Sequence, residues 1–221
     1  MDRGALTEEQ YVRYLSMQYH LTSGVQRYFI TAAAHADLSR RRKLCRFLFD
    51  FANEEELHYV VAGNDLHKIG RQPLPEPFDV TLWHSYFEKI VVNRPFVRLG
   101  AACTLENISA GTARPFVKQA LFAPYLTRQN SKFLVLHQHE TLTHGDEIIQ
   151  ALTEANLEEA HICDLAEGAR KGIVFYLRMA DWALNPGGLA SIADIESEGL
   201  SGGATAAIEN FDLSMLDAVN H

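Results

Sequence analysis

Histidines and acids are concentrated in residues 131–150, a stretch that holds three of the ten histidines of the chain. His137 and His144 lie seven positions apart, so on a helix of about 100° per residue their side chains return to nearly the same face. Glu140 and Thr141 lie between them on that face. Because imidazole is the commonest protein ligand for metal ions, the pattern indicates a metal site.

Apolar neighbours predict that this face of the helix is turned inward. Phe133, Ile148 and Leu152 surround the same stripe. A single buried histidine is more often a core residue that makes one hydrogen bond, but two histidines with an acid on one face favour metal ligands. His139 projects to a different side, and we interpret it as a solvated residue or an outer partner of the site.

A second group of candidate ligands is the Glu-x-x-His motif formed by Glu55 and His58. On a helix, a spacing of three residues puts the carboxylate and the imidazole on one face, where both can bind the same ion. Leu48 and Phe51 flank the motif and favour a buried face. Glu54, one residue earlier, is the rival for the carboxylate position.

Glu106 is a third candidate because it is the only acid on an apolar stripe that includes Leu99, Ala102 and Cys103. A lone buried carboxylate is costly unless it is neutralised or bound to a cation. A mixed set of oxygen and nitrogen ligands without thiolate is suited to iron or manganese rather than structural zinc, and six side chains can hold two ions. The six predicted metal ligands are Glu55, His58, Glu106, His137, Glu140 and His144.

The elements that must position these residues are helices, because no segment shows the regular alternation of a strand. The class is all-α, with roughly six to eight helices. Thr7 and Gln10 form a capping box that starts a long first helix, with a kink near Gly24, ending near residue 35. A second helix starts at Asp37 or Ser39, carries the Glu-x-x-His motif and ends near residues 63–70.

Prolines and asparagines set the later boundaries. The proline-rich segment 71–78 is a loop, and Asp79 caps the short helix that follows it. Pro95 lies in the first turn of the next helix, which carries the lone acid. The central helix with its histidines begins near Thr127, and Asn156 caps a last long helix.

The composition is that of an ordinary globular protein. The 221 residues are 47% hydrophobic and 22% charged, which fits one domain with a large core. We expect a helical, metal-bearing domain over residues 1–186 and a Gly/Ala/Ser-rich tail over residues 187–221 that includes a short helix.

Charge and cysteine content exclude several classes of function. A net charge of −8 and a pI near 5.7 disfavour nucleic acid as a partner. The three cysteines are far apart in the sequence, which argues against a disulfide framework or a thiolate metal site. No signal peptide and no run of 18 apolar residues is present, so we expect a cytoplasmic protein without a membrane partner.

These motifs resemble those of the haem-oxygenase-like diiron oxidases and oxygenases, which share a bundle of about seven helices with the TenA and PqqC proteins. Their pattern is a Glu-x-x-His, a lone Glu roughly fifty residues later and, after roughly thirty more, His-x3-Asp-x2-His. Glu55 and His58, then Glu106, then His137 and His144 follow this order. The resemblance spans most of residues 7–185.

The pattern departs from the family at Thr141, where the family has Asp. Glu140 is the neighbouring carboxylate, and we expect the second iron to be held less firmly. The resemblance implies two irons per chain, O2 as co-substrate and a small organic substrate such as an amine, an amino acid or a fatty acid. It also implies a homodimer. We further expect an external electron donor and a substrate pocket between the first helix and the metal helices.

Three alternatives remain open. A metal-free, TenA-like hydrolase would use Cys103 as nucleophile, three residues before the acid on the same helix face. A ferritin-like diiron protein would use a second Glu-x-x-His, formed by Glu158 and His161, and would leave the histidines of the central helix without a role. A haem-binding protein would use His20.

Overall fold

The computed structural model describes residues 6–108, 123–136 and 144–185, and all regular structure in these ranges is helical. This confirms the predicted all-α class. The predicted tail 187–221 lies outside the described residues, as do His137, Glu140 and Thr141. The helices are α1 (Glu8–Thr22), α2 (Gln26–Ala34), α3 (Ala36–Ser39), α4 (Arg42–Glu55), α5 (His58–Lys68), α6 (Phe78–Val91), α7 (Pro95–Ile108), α8 (Lys132–Leu136), α9 (His144–Thr153) and α10 (Glu159–Leu184).

The first predicted helix is divided into α1 and α2. The predicted capping box is confirmed, since the Thr7 side chain accepts a hydrogen bond from the Gln10 backbone and the Gln10 side chain accepts one from the Thr7 backbone. The division falls at Gly24, whose φ of 74° lies in the left-handed region that favours glycine. The predicted kink is therefore a full break.

The predicted second helix is also interrupted, and the interruption falls inside the Glu-x-x-His motif. Glu55 is the last residue of α4, and His58 is the first residue of α5. Three consecutive acids, residues 54–56, occupy the end of α4, where carboxylates oppose the helix dipole. The prediction of one continuous helix was wrong, because the apolar pattern continues across a position at which local charge ends the helix.

Later boundaries differ by a few residues from those predicted. Pro77, not Asp79, is the residue before α6. Asn156 adopts a positive φ of 49°, and Glu158 is the N-cap of α10. The helix predicted from Thr127 begins only at Lys132, because Thr127 lies in a turn in which its backbone N–H donates to the side chain of Asn130.

Helix α7 lies at the centre of the fold and packs against α2, α6, α9 and α10. The largest hydrophobic cluster surrounds it and includes Trp83, Phe87 and Phe96. A second cluster lies between α1 and α5, and Phe133 of α8 packs into it. The backbone N–H of Phe133 also donates to the buried carboxylate of Asp65 in α5, at 2.8 Å, so α8 is fixed to α5.

Helices α7 and α10 approach each other so closely that glycine is required at the contact. A methyl group at Gly168 of α10 would overlap the carbonyl group of Val97, and one at Gly100 of α7 would overlap the carbonyl group of Leu165. Both obstacles are backbone atoms, which cannot rotate away. The close approach fixes α7 against the longest helix of the described chain.

In the described ranges, no helix is long and apolar enough to cross a membrane.

Gly168→Ala should lower the free energy of unfolding by about 1–3 kcal/mol, because the added methyl group forces α7 and α10 apart. Gly63→Ala is the matched control, since its methyl group would meet only ring atoms of Tyr19, at 3.3 Å, and it gains helix propensity. Urea denaturation measures both variants. Equal stabilities of the two variants would contradict the assigned contact.

Candidate metal centre

A buried histidine and two carboxylates converge where α4, α7 and α9 meet. Nδ1 of His144 lies 3.0 Å from Oε1 of Glu55 and 3.7 Å from Oε2 of Glu106. One ligand atom from each of the three residues fits within a span of 4.8 Å. Glu55 and His144 each expose only 4% of their surface. The structure thus brings together three of the six predicted ligands as one cluster.

His58 extends the cluster from the start of α5. Its Nδ1 lies 2.7 Å from Oε2 of Glu55, and its ring is nearly parallel to that of His144, with centroids 6.0 Å apart. The two oxygens of Glu55 therefore face two different imidazoles. A carboxylate with this arrangement can bridge two ions. The two remaining predicted ligands, His137 and Glu140, lie outside the described residues.

The break between α4 and α5 decides which acid enters the site. Glu55 is buried, whereas the side chain of Glu54 is 55% exposed. Glu55, and not its rival, is therefore the inward carboxylate. Glu54 nevertheless reaches the cluster from outside, because its Oε1 lies 3.1 Å from Nε2 of His144.

Glu54 was missed by the sequence analysis as an outer partner of the site. Histidines that bind metals commonly donate the N–H of their second nitrogen to a carboxylate, which fixes the ring orientation and the tautomer. His144 has this arrangement, with Nδ1 facing Glu55 and Glu106 and Nε2 facing Glu54. The only sequence signal was the adjacency of Glu54 and Glu55.

The pKa values of the cluster are strongly perturbed. Burial alone would lower the pKa of His144, but its contacts with Glu106 and Glu55 raise the pKa to about 11. Burial alone would raise the pKa of Glu55, but its contacts with His144 and His58 lower that pKa to about 2. For Glu106, burial and the nearby charge of Glu55 raise the pKa. Without a cation, the site therefore holds an imidazolium against the Glu55 carboxylate.

The arrangement fits a metal ion in both geometry and donor chemistry. Oε1 of Glu55 is buried and accepts no well-directed hydrogen bond from the described residues, although Nδ1 of His144 lies only 3.0 Å away. Ligand atoms that share one ion at about 2.0–2.2 Å lie about 3–4 Å apart, and Nδ1 of His144 lies at such distances from both Glu55 and Glu106. A bound cation would replace the imidazolium proton and would satisfy the buried oxygen.

A cavity adjoins the cluster on the side of α1. Its volume is about 90 Å³, enough for several water molecules. Glu55, His58 and Glu106 line one wall, and Gln18 and Thr22 of α1 line another. A cavity therefore lies between the first helix and the metal helices, where a substrate pocket was predicted.

Arg98 also lines this cavity, and the sequence analysis did not select it. It is the only basic residue of α7, whose other positions are largely apolar. A lone cation on such a helix is the same kind of signal as the lone acid Glu106.

Cys103 does not fit the role of nucleophile. It lies on α7 but is absent from the described lining of the cavity. Burial raises the pKa of its thiol to about 12, so almost no thiolate, the reactive form, is present at neutral pH. These observations disfavour the metal-free hydrolase.

The residues proposed as ligands in the ferritin-like and haem-binding alternatives have other contacts in the structure. Glu158 and His161 form the N-terminal cap of α10, in which the Glu158 backbone N–H donates to Nδ1 of His161 at 3.2 Å. This second Glu-x-x-His is thus a helix cap outside the cluster. Nε2 of His20 donates a hydrogen bond to the carbonyl group of Leu74 at 2.8 Å, so this nitrogen is not available to bind haem iron.

Comparisons with known proteins bear on the fold. No protein-family model matches the chain, and no curated protein sequence matches it. Among solved structures, the chain is similar to a domain of unknown function with a haem-oxygenase-like fold from Shewanella denitrificans OS217. The TM-score is 0.68 at 22% sequence identity, covering 82% of this chain and 80% of the other. The chain therefore has the predicted haem-oxygenase-like fold.

In the metal-free protein, the ion pairs of His144 should stabilise the fold fully below its ordinary pKa of 6.5, and this contribution should be lost as the pH rises toward 11. The sign follows because folding raises this pKa. Urea denaturation from pH 6 to pH 10 should show a stability difference between wild type and His144→Gln that shrinks steadily. The exposed His67→Gln is the matched control. A His144→Gln difference that stays constant over this range would contradict the ion pair.

Proposed function

We propose that the protein is a non-haem, iron-dependent oxidase or oxygenase that uses O2 to oxidise a small organic substrate. The observation that carries this proposal is the convergence of Glu55, Glu106 and His144 inside a haem-oxygenase-like fold. The ligand set contains oxygen and nitrogen but no thiolate, which is suited to iron or manganese. The resemblance of the sequence motifs to diiron enzymes supports iron.

Two irons held by carboxylates and imidazoles would supply the reductive activation of O2, with electrons from an external donor. Glu55 would help to hold the metal with both of its oxygens, because each of them faces a different imidazole. His144 must release its proton to bind a cation, and the neighbouring carboxylate of Glu54 holds its second nitrogen in place. Metal binding should therefore release a proton.

The second iron site depends on residues outside the described ranges. His137 and Glu140 are the proposed ligands there, and Thr141 stands at the family's Asp position. A hydroxyl group is a weaker ligand than a carboxylate for such ions. We therefore propose that the second iron is bound more weakly than the first.

The cavity suits a small substrate beside the ligands. It is bounded by α1 and by apolar side chains such as Leu21, Val25 and Leu105, which exclude bulk water from the reacting groups. The proposed substrate classes are amines, amino acids and fatty acids. A homodimer and a cytoplasmic location remain part of the proposal.

Anaerobic titration with Fe(II) should show uptake in two steps, the second weaker. His58→Ala and His144→Ala should weaken iron binding by more than the roughly 10- to 100-fold typical of losing an outer partner. Glu140→Ala should affect mainly the second step. His161→Ala is the matched histidine control and should bind iron like wild type, because it belongs to a helix cap.

Two outcomes of this titration would reject the proposal. Iron uptake by wild type no greater than by His58→Ala would exclude the metal site. Loss of iron in His161→Ala with normal binding in His144→Ala would instead support the ferritin-like ligand set.

Glu54→Gln should weaken iron binding by roughly 10- to 100-fold without preventing it, because the carboxylate orients His144 and does not bind the ion itself. Glu56→Gln is the matched control, since Glu56 is exposed and belongs to the same run of acids. Identical iron affinities for the two variants would contradict the role of Glu54.

Cys103→Ser should retain most iron binding and most O2 consumption, because the thiol is protonated and lies away from the cavity. The measurement is O2 uptake after addition of Fe(II) and a reductant. If turnover disappears while iron binding is unchanged, Cys103 takes part in the reaction and the thiol alternative gains support.

A further inference from the structure

Arg98 is a fully buried cation with unused hydrogen-bond donors. Only 1% of its surface is exposed. Its Nε and Nη1 groups are buried and have no hydrogen-bond partner among the described residues. A guanidinium group has five N–H donors and is almost never buried without acceptors. The fold therefore keeps these donors available at a considerable cost in stability.

Aromatic rings surround the guanidinium group. Its central carbon lies 4.9 Å from the ring centre of Tyr28, 5.2 Å from that of Phe29, and 5.5 Å from those of both Trp83 and Phe87. Cation–π attraction offsets part of the cost of burial, but ring faces supply no acceptor oxygen for the N–H groups. Burial lowers the pKa of Arg98 to about 10, so the group is still charged at neutral pH.

Other arginines of the chain show what a structural role looks like. Arg13 is also buried and packs against the ring of Trp182, but its Nε and Nη2 both donate to the Trp182 carbonyl group, at 2.9 and 2.7 Å. Arg94 contacts the carboxylates of Asp164 and Glu167, each at 2.6 Å. Arg98 differs from both because no such acceptor is provided by the described residues.

The location of Arg98 explains what its acceptor would be. It lines the same cavity as Glu55, His58 and Glu106, and it is the only arginine or lysine in the described lining. Apolar side chains, among them Leu21, cover much of the remaining wall. The cavity therefore presents a cation, candidate metal ligands and an apolar surface to any molecule inside it.

The charges around Arg98 also favour an anionic ligand in the cavity. The acids whose charges act on Arg98 are Glu106 and Glu55. If these carboxylates bind metal ions, their negative charge is shared with the metal, and the guanidinium group loses much of its compensation. An anionic ligand in the cavity would restore it.

We propose that Arg98 binds the carboxylate group of the substrate, and that the substrate is a small carboxylic acid with an apolar body. The planar fork of a guanidinium group matches the two oxygens of a carboxylate. This inference rests on the proposed function for calling the ligand a substrate, and it selects carboxylic acids over simple amines.

The test compares three probes of similar length, hexanoate, hexanamide and hexylamine. Each is titrated into metal-free and Zn(II)-loaded protein by calorimetry. Trp83 lies beside Arg98 and reports binding by fluorescence in a Trp182→Phe background, since the chain has only two tryptophans. Hexanoate should bind on the order of 10-fold or more tightly than hexanamide, with hexylamine weakest, and Zn(II) should strengthen hexanoate binding.

Substitutions at Arg98 test whether this residue causes the preference for hexanoate. Arg98→Met should weaken hexanoate binding by on the order of 10- to 100-fold, because charge-assisted hydrogen bonds are lost, and should bind hexanamide nearly as wild type does. Its melting temperature should not fall, because the buried donors are removed together with the charge. Arg98→Lys should give an intermediate loss. Arg13→Lys is the matched control for a buried arginine and should leave the probe affinities unchanged.

Each contrary result overturns the inference. Wild type without a preference for hexanoate in either form would do so, as would Arg98→Met binding hexanoate as tightly as wild type. Hexanoate binding that needs Zn(II) but not Arg98 would mean that the metal alone holds the carboxylate. If Arg98→Met does not fold, the probe affinities of wild type and of Arg98→Lys test the inference instead. Failure of the proposed function is seen separately, as absent iron uptake in a protein that still binds hexanoate through Arg98.

Discussion

The contact of His144 with the carboxylates of Glu55 and Glu106 is the interaction on which the site depends. It joins three helices that are distant in sequence, and Glu55 links it to the start of a fourth through His58. Each acid would be costly to bury alone, and each is tolerable because a proton or a cation compensates it. The same negative charges that are costly to bury together would favour a cation bound between them.

Much of this arrangement follows from local patterns in the sequence. The capping box at Thr7, the helix start at Pro95, the lone acid Glu106 on an apolar stripe and the inward position of His144 were all predicted. These features depend on neighbours within one or two helical turns, where spacing and residue type are sufficient. Assignment of the haem-oxygenase-like fold rested on motif order and is confirmed by a similar solved structure.

The sequence pattern missed one helix break, and it could not show the contacts that depend on tertiary packing. The helix is interrupted between Glu55 and His58, although the apolar pattern continues across the interruption. Glu54 could be recognised as a partner of His144 only once two helices had been placed side by side. In the sequence, Arg98 is one charged residue on an apolar helix, and its aromatic surroundings come from α2 and α6, which periodicity within α7 cannot show.

Helix α7 carries both Arg98 and Glu106, and its glycine contact with α10 holds it rigid against the body of the protein. Eight residues of helix set the two positions about 12 Å apart along its axis. The helix therefore fixes the distance between these two positions. A molecule bound at Arg98 would bring near Glu106 only those of its atoms that lie at this distance from the bound group. The length of the molecule, as well as its charge, therefore determines which of its bonds can react.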